Sequence, residues 1–169
     1  MRRQLGFNLI EVMIALVVIS IGLLGMAILQ MTSLQQNQSA YYRSQATLLA
    51  YDVVDRMRAN MDQVSAGNYF AVSGAINNNC INYSGSASGC TSAQMASNDI
   101  AEWQAVLATE LPQGGGRVCR GTTTGGAVGA PACNAGFTAT NSPIHVFVWW
   151  NDDKNVSGAT TQFSVSVEL

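Results

Sequence analysis

From Val12 to Leu29 the chain carries no charge and no proline, and Ser20 is its only polar side chain. At about 1.5 Å per residue, roughly twenty such residues span a hydrocarbon core. The pattern therefore predicts a helix long and apolar enough to cross a membrane. Past a polar collar (Gln35, Gln36, Asn37, Gln38) the hydrophobic pattern changes character but does not stop. Tyr42, Ala46, Leu49, Val53 and Met57 recur every three or four residues, with Gln45, Asp52, Asp55 and Arg58 on the opposite face. No proline precedes Pro112. One continuous helix is expected from Phe7 to Asn60, apolar all round in its first half and amphipathic in its second. Gly22 and Gly25 interrupt the first half at about 1 kcal/mol each relative to alanine, a cost consistent with close packing of small residues between membrane helices.

Beyond this helix the composition shifts to Gly, Ser, Asn and Ala between residues 65 and 97, which predicts a long surface loop with a short strand near Tyr69–Val72. A second helix follows, capped by Ser97 or Asn98, with Ile100, Trp103, Val106 and Leu107 as its buried face and Pro112 as its stop. Gly114–Gly116 lead into a short strand over residues 117–120, and a Gly/Thr/Ala loop runs to about Ser142. The run IHVFVWW at 144–150 is the strongest strand signal, and residues 160–168 alternate with Phe163, Val165 and Val167 on one face. Trp149 and Trp150 fall on opposite faces of their strand, one toward the core and the other a contact residue. The sum is an α+β layout, a long helix packed on a small, mostly antiparallel sheet.

Charge and chemistry narrow the function. The chain has 169 residues, 11% of them charged, and a net charge of −2, so it carries no basic footprint for nucleic acid. No catalytic constellation is present. His145 is the only histidine and sits on a strand. Gly114–Gly116 lack the lysine and spacing of a phosphate loop. Asp152 and Asp153 beside Asn151 and Asn155 lack the twelve-residue calcium pattern and predict a turn. Catalytic residues, metal ligands and cofactors are therefore all expected to be none, with no small-molecule substrate.

The N-terminus is more informative. A cleaved secretory signal has an apolar core of about 7–15 residues and a small-residue cleavage site; here the run is longer and continues in helical composition. Arg2 and Arg3 place that end in the cytoplasm by the positive-inside rule, and everything past about residue 31 is expected to be exported. Glu11 is the residue out of place. An ionised side chain at a membrane helix centre costs about 2.5–3.5 kcal/mol on insertion scales, less near the interface. By itself it is open to a bland account, a carboxylate that snorkels to the headgroups.

Glu11 has company, however. Gly6, then Phe7, then an acid in the fifth place of an apolar helix resembles the signal of type IV prepilins. GFNLIEV matches that family's usual GFTLIEV except for Asn8, where threonine is common and polar residues are tolerated. The resemblance implies that an inner-membrane prepilin peptidase cuts between Gly6 and Phe7 and that the new Phe7 amine is methylated. It divides the chain into a leader (1–6), a transmembrane and filament-core helix (7–31) and a periplasmic globular domain (32–169) with the pilin fold. When such helices pack side by side, an amine buried without a partner is costly. A carboxylate five residues along can meet the amine of an axially offset neighbour, so Glu11 reads as an assembly charge that fixes register. Type IV pilins often carry a helix-weakening residue in the region of Gly22 and Gly25, which adds local unwinding to the account of those glycines.

Residues 39–60, the EWQAVLATELPQGGGRV segment and the VWWNDD strand end further resemble a minor-pilin subfamily, the type IV pilus modification proteins (PilV type). That resemblance implies a structural subunit that joins other minor pilins and the major pilin, primes assembly near the pilus tip, and supports adhesion and twitching. The expected partners are prepilin peptidase, the other pilins, the inner membrane and a tip adhesin. The expected location is the inner membrane before assembly and the cell-surface pilus afterwards. A minor pseudopilin of a type II secretion system is the near alternative, and a single-span membrane-anchored adhesin or enzyme the distant one. Cys80, Cys90, Cys119 and Cys133 all lie beyond the membrane helix. An even count in an exported domain reads as disulfides, and zinc is the rival without a CxxC pair. Four cysteines allow three pairings; Cys80–Cys90 with Cys119–Cys133 is favoured because each closes a glycine-rich loop.

Overall fold

The computed structural model of the chain describes residues 8–81, 89–121, 123–133, 142–153 and 156–169. Helix α1 (Leu9–Ala59) is unbroken over 51 residues, Gly22 and Gly25 included. The chain divides into two compact units, residues 1–41 and 42–169. From Leu9 on, the first is the N-terminal stretch of α1.

In the second unit, the C-terminal part of α1 buries Ala46, Ala50, Val53, Val54 and Met57, with Tyr42 and Leu49 packed at the margin. The stripe is thus wider than the three-four alternation predicts, because Ala50 and Val54 join it. Short helices α2 (Met61–Ser65) and α3 (Asn78–Ile81) precede α4 (Ser92–Glu110). Five strands follow: β1 (Gly115–Arg120), β2 (Thr123–Ala127), β3 (Ala130–Cys133), β4 (Ile144–Trp150) and β5 (Thr161–Val167). One antiparallel sheet has the order β1-β4-β5, and β2-β3 form a separate antiparallel pair.

The inner face of the larger sheet carries Val118, Ile144, Val146, Val148 and Trp150, which pack with Ile100, Trp103 and Leu107 of α4 and the α1 stripe into one core. Trp103 also bolts the two long helices together, its Nε1 donating to Leu49 O at 2.8 Å. This is the α+β arrangement that the prepilin resemblance implies, a long N-terminal helix on a small antiparallel sheet with two disulfides.

Four local expectations are corrected. Tyr69–Val72 is not a strand; it is irregular chain, and Tyr69 turns its side chain fully into the core. Helix α4 begins at Ser92, several residues before Ser97 or Asn98. A capping box sets that start: Thr91 Oγ1 accepts from Gln94 N at 3.2 Å and Gln94 Oε1 accepts from Thr91 N at 2.9 Å. Val106 is 37% exposed and so lies outside the α4 core face. The 121–142 stretch holds the β2-β3 hairpin, with Pro131 on an edge where its missing N–H does no harm. The end of α4 is as expected: Leu111 is extended (φ −117°, ψ 136°) because the following Pro112 disfavours helix there.

Candidate assembly helix and its charge

The signal residues Gly6 and Phe7 lie outside the described residues. At Asn8 the backbone carbonyl accepts from Glu11 N (2.9 Å) and Val12 N (3.5 Å), which opens the helix. Glu11 is thus an acid in the first turn, where the helix dipole favours it. Its side chain is exposed and has no ion-pair partner among the described residues.

Around Glu11 the surface is apolar. Leu9, Ile10, Met13, Ile14, Leu16 and their successors to Leu34 are each about half to three-quarters exposed, and an 18-residue window reaches a mean hydropathy of 2.9 with none of it buried. Each such side chain gains roughly 1.5–3 kcal/mol on burial, so the face as a whole is strongly driven out of water. The few polar side chains do not oppose this. Ser20 Oγ donates to Leu16 O (2.7 Å) and Thr32 Oγ1 to Ile28 O (3.0 Å), turning their hydroxyls back on the helix. Gly22 and Gly25 have nothing within 4 Å of where a Cβ would stand, so neither is required by packing within the chain.

In the second unit, the other motif residues have structural roles. Cys80–Cys90 and Cys119–Cys133 are disulfides with Cα–Cα distances of 5.1 and 5.3 Å. Asp152 and Asp153 form the expected turn: Asn151 Oδ1 accepts from Asp153 N (2.9 Å) and Thr160 Oγ1 from Asp152 N (2.8 Å). Among the described residues, no group of three or more His, Cys, Asp or Glu is arranged to hold a metal ion. His145 Nδ1 meets Ser166 Oγ at 2.6 Å, as a cross-strand pair on the sheet surface. Gly114–Gly116 are glycines for packing. A Cβ on Gly115 would stand 2.7 Å from Trp149 Nε1, and one on Gly116 would enter the Trp103 ring. Trp150 is the core residue of its pair, whereas Trp149 walls a groove of about 390 Å³ beside β1. Gln104 Nε2 donates across that groove to the carbonyls of Val72 (2.9 Å) and Gly116 (3.2 Å). Arg117, its one charged lining residue, donates Nη1 to Pro131 O.

A polar network escaped sequence reasoning. Arg56 contacts Asp52 (3.0 Å), Asp99 (3.5 Å) and Glu102 (3.0 Å), joining α1 to α4. Tyr69 reaches Asp99 as well, and Asn98 Nδ2 donates to Glu102 Oε1 at 2.9 Å. Only the pairs Asp52–Arg56 and Asn98–Glu102, each four apart on one helix, are visible in sequence.

Comparison with known families gives two adjoining matches. Residues 1–27 match the prokaryotic N-terminal methylation motif, and residues 28–101 match the family described as Tt1218-like, type IV pilin Tt1218. The comparison with curated proteins gives no match, and neither does that with solved structures. The methylation motif implies processing by prepilin peptidase and assembly with other pilins, and the apolar helix fits membrane anchoring. With a long apolar helix leading into a helix-on-sheet domain, these two matches make residues 1–101 of the chain similar to type IV pilins.

Proposed function

We propose that this chain is a minor pilin of a type IV pilus, of the type IV pilus modification (PilV) kind. Residues 7–31 hold it in the inner membrane until assembly, and leader residues 1–6 are removed there. Together with other minor pilins it then primes the filament near its tip, in support of adhesion and twitching. The role is structural, with no catalysis.

The observation that carries this reading is Glu11, an exposed acid on a helix face that is otherwise uncharged from Leu9 to Leu34. A lone carboxylate among side chains that leave water is an energetic fault in an isolated membrane helix. Beside the methylated Phe7 amine of a neighbouring subunit, the same carboxylate becomes half of an ion pair. Wrong staggers leave two buried unpaired charges, and the right one leaves none.

The test is Glu11→Val. Insertion, cleavage and the folded domain should persist, since the helix becomes more apolar. Incorporation should fall, because stranding one partner of a buried pair costs about 3–5 kcal/mol, a factor of about 150 to about 5,000 in association. Glu11→Gln should be milder, as the amide oxygen still accepts a hydrogen bond. Co-purification with sheared pili, set against the inner-membrane level, reads the result. Normal incorporation of Glu11→Val would reduce the residue to a snorkelling carboxylate, and incorporation into a secretion pseudopilus alone would favour the pseudopilin alternative.

A further inference from the structure

Strand β5 is an outer strand of the sheet, and among the described residues no strand pairs with its far edge. The register fixes which main-chain groups face that edge. Gly121 N donates to Pro143 O at 2.9 Å, in step with the β1–β4 register. Alternation then turns the odd-numbered residues of β4 toward β1 and the even-numbered ones toward β5. Ile144, Val146, Val148 and Trp150 stand opposite Val167, Val165, Phe163 and Thr161. Gln162, Ser164 and Ser166 therefore present their N–H and C=O groups outward. The carbonyl of Gly116, which meets Gln104, obeys the same alternation at the opposite edge of the sheet.

Edge strands in soluble domains are normally blunted by lysine, proline, a bulge or a cover. The β1 edge is treated in this way, with Gln104 on the outward carbonyl of Gly116. The β5 edge is not. Its seven residues, TQFSVSV, contain no charge and no proline, and their pairing with β4 runs unbroken. On its inner face Phe163, Val165 and Val167 belong to the core but are only partly buried. A helix or loop could satisfy isolated members of this row of donors and acceptors, whereas an added strand satisfies all of them and covers the apolar margin as well.

We propose that β5 receives an extended segment of a partner protein by strand addition. The segment's chemistry follows from the edge: about five to seven uncharged residues, β-branched or aromatic where they continue the Phe163–Val165–Val167 layer and small and polar beside Ser164 and Ser166. A basic residue at one end meets the exposed Glu168.

Purified full-length chain in detergent tests this with a labelled heptapeptide of alternating Val and Ser bearing a terminal Lys, and a centrally proline-substituted peptide as control. Ser164→Pro removes an outward N–H without removing a bond to β4, and Ser164→Lys keeps the backbone but adds a charge to the edge. Saturable binding to the unmodified chain is expected, weakened at least about tenfold in both variants and absent for the proline peptide, with circular dichroism unchanged. If Ser164→Pro fails to fold, Ser164→Lys carries the comparison. Absence of saturable binding, or equal binding by the unmodified chain and the variants, overturns the proposal. So does a concentration-dependent dimer abolished by either variant, which would make the occupant a second copy of this chain.

Discussion

Tyr69 donates its hydroxyl to Asp99 Oδ2 across 2.6 Å, so the irregular chain after α2 is pinned to α4 by a buried, charge-assisted hydrogen bond. Asn60 Nδ2 donates to the same phenol oxygen at 3.3 Å, and Arg56 lies on the other side of the carboxylate. One tyrosine thereby links α1, the 66–77 connection and α4. Hydrogen bonds to charged groups contribute about 1.5–3 kcal/mol. Tyr69→Phe should destabilise the domain by that amount, read as a lower urea midpoint with an unchanged slope.

The same residue sets an alkaline limit. Burial and then the Asp99 hydrogen bond push the Tyr69 hydroxyl above its ordinary pKa of 10.0. The folded chain thus holds this proton more tightly than the unfolded chain. That contribution is complete below a pH of about 10 and declines as pH rises above it. Urea titrations at a pH of about 8 and about 11 should show a larger loss of stability for the unmodified chain than for Tyr69→Phe. Parallel losses would assign the alkaline limit to other groups.

Much of this architecture can be read from periodicity. Helix α1, β4 and β5 carry long regular patterns, and each lies where its pattern puts it. The start of α4 is harder to see, because Ser92–Asn98 has the composition of a loop and only the reciprocal Thr91–Gln94 bonds make it helical. The β2-β3 hairpin is rich in Gly, Ala and Pro, which lack strand propensity, and it is held by a disulfide and by the face it covers. Arg56, Tyr69, Asp99 and Glu102 meet across separations of 30 to 46 residues, which no local pattern reports. Glu11 is the opposite case: its oddness is entirely local, and it was legible from five neighbouring residues.

The disulfides should be separable in effect. Each closes a short loop, with separations of 10 and 14 residues, and loops of that size contribute about 2–4 kcal/mol. Cys80→Ser with Cys90→Ser should lower stability by that amount while leaving Trp149 emission unchanged. Cys119→Ser with Cys133→Ser should also alter that emission, because Gly129 of the β2-β3 turn lies against the Trp149 ring. Alkylation of the native protein followed by mass measurement should find no labelled thiol.

Glycines in the two units should respond oppositely to alanine. Gly116→Ala drives a methyl into Trp103 and Leu107 and should cost about 1–3 kcal/mol in the globular domain. Gly22→Ala meets nothing within the chain and should leave the domain's urea midpoint where it was. A loss of filament incorporation in Gly22→Ala alone would show that the glycine serves contacts between helices.

Processing gives the most direct chemical prediction. Mass measurement of the mature chain should find Phe7 first, with one added methyl group. Retention of Met1 in peptidase-competent cells, or a cut near Ala40, would overturn the proposed assembly role.

The β2-β3 hairpin lies on the sheet face opposite the core, tied there by Cys119–Cys133 and by Arg117 Nη1 on Pro131 O. Among the described residues, none of its side chains belongs to the core in which α1 and α4 pack on Val118, Val146 and Val148. Core and cover can therefore change independently over evolutionary time. The inner face is constrained by volume, whereas the hairpin needs only its cysteine anchor and a small residue against Trp149. Related subunits could exchange this outer module for one of different length and chemistry without repacking the interior, diversifying what they display while conserving how they fold.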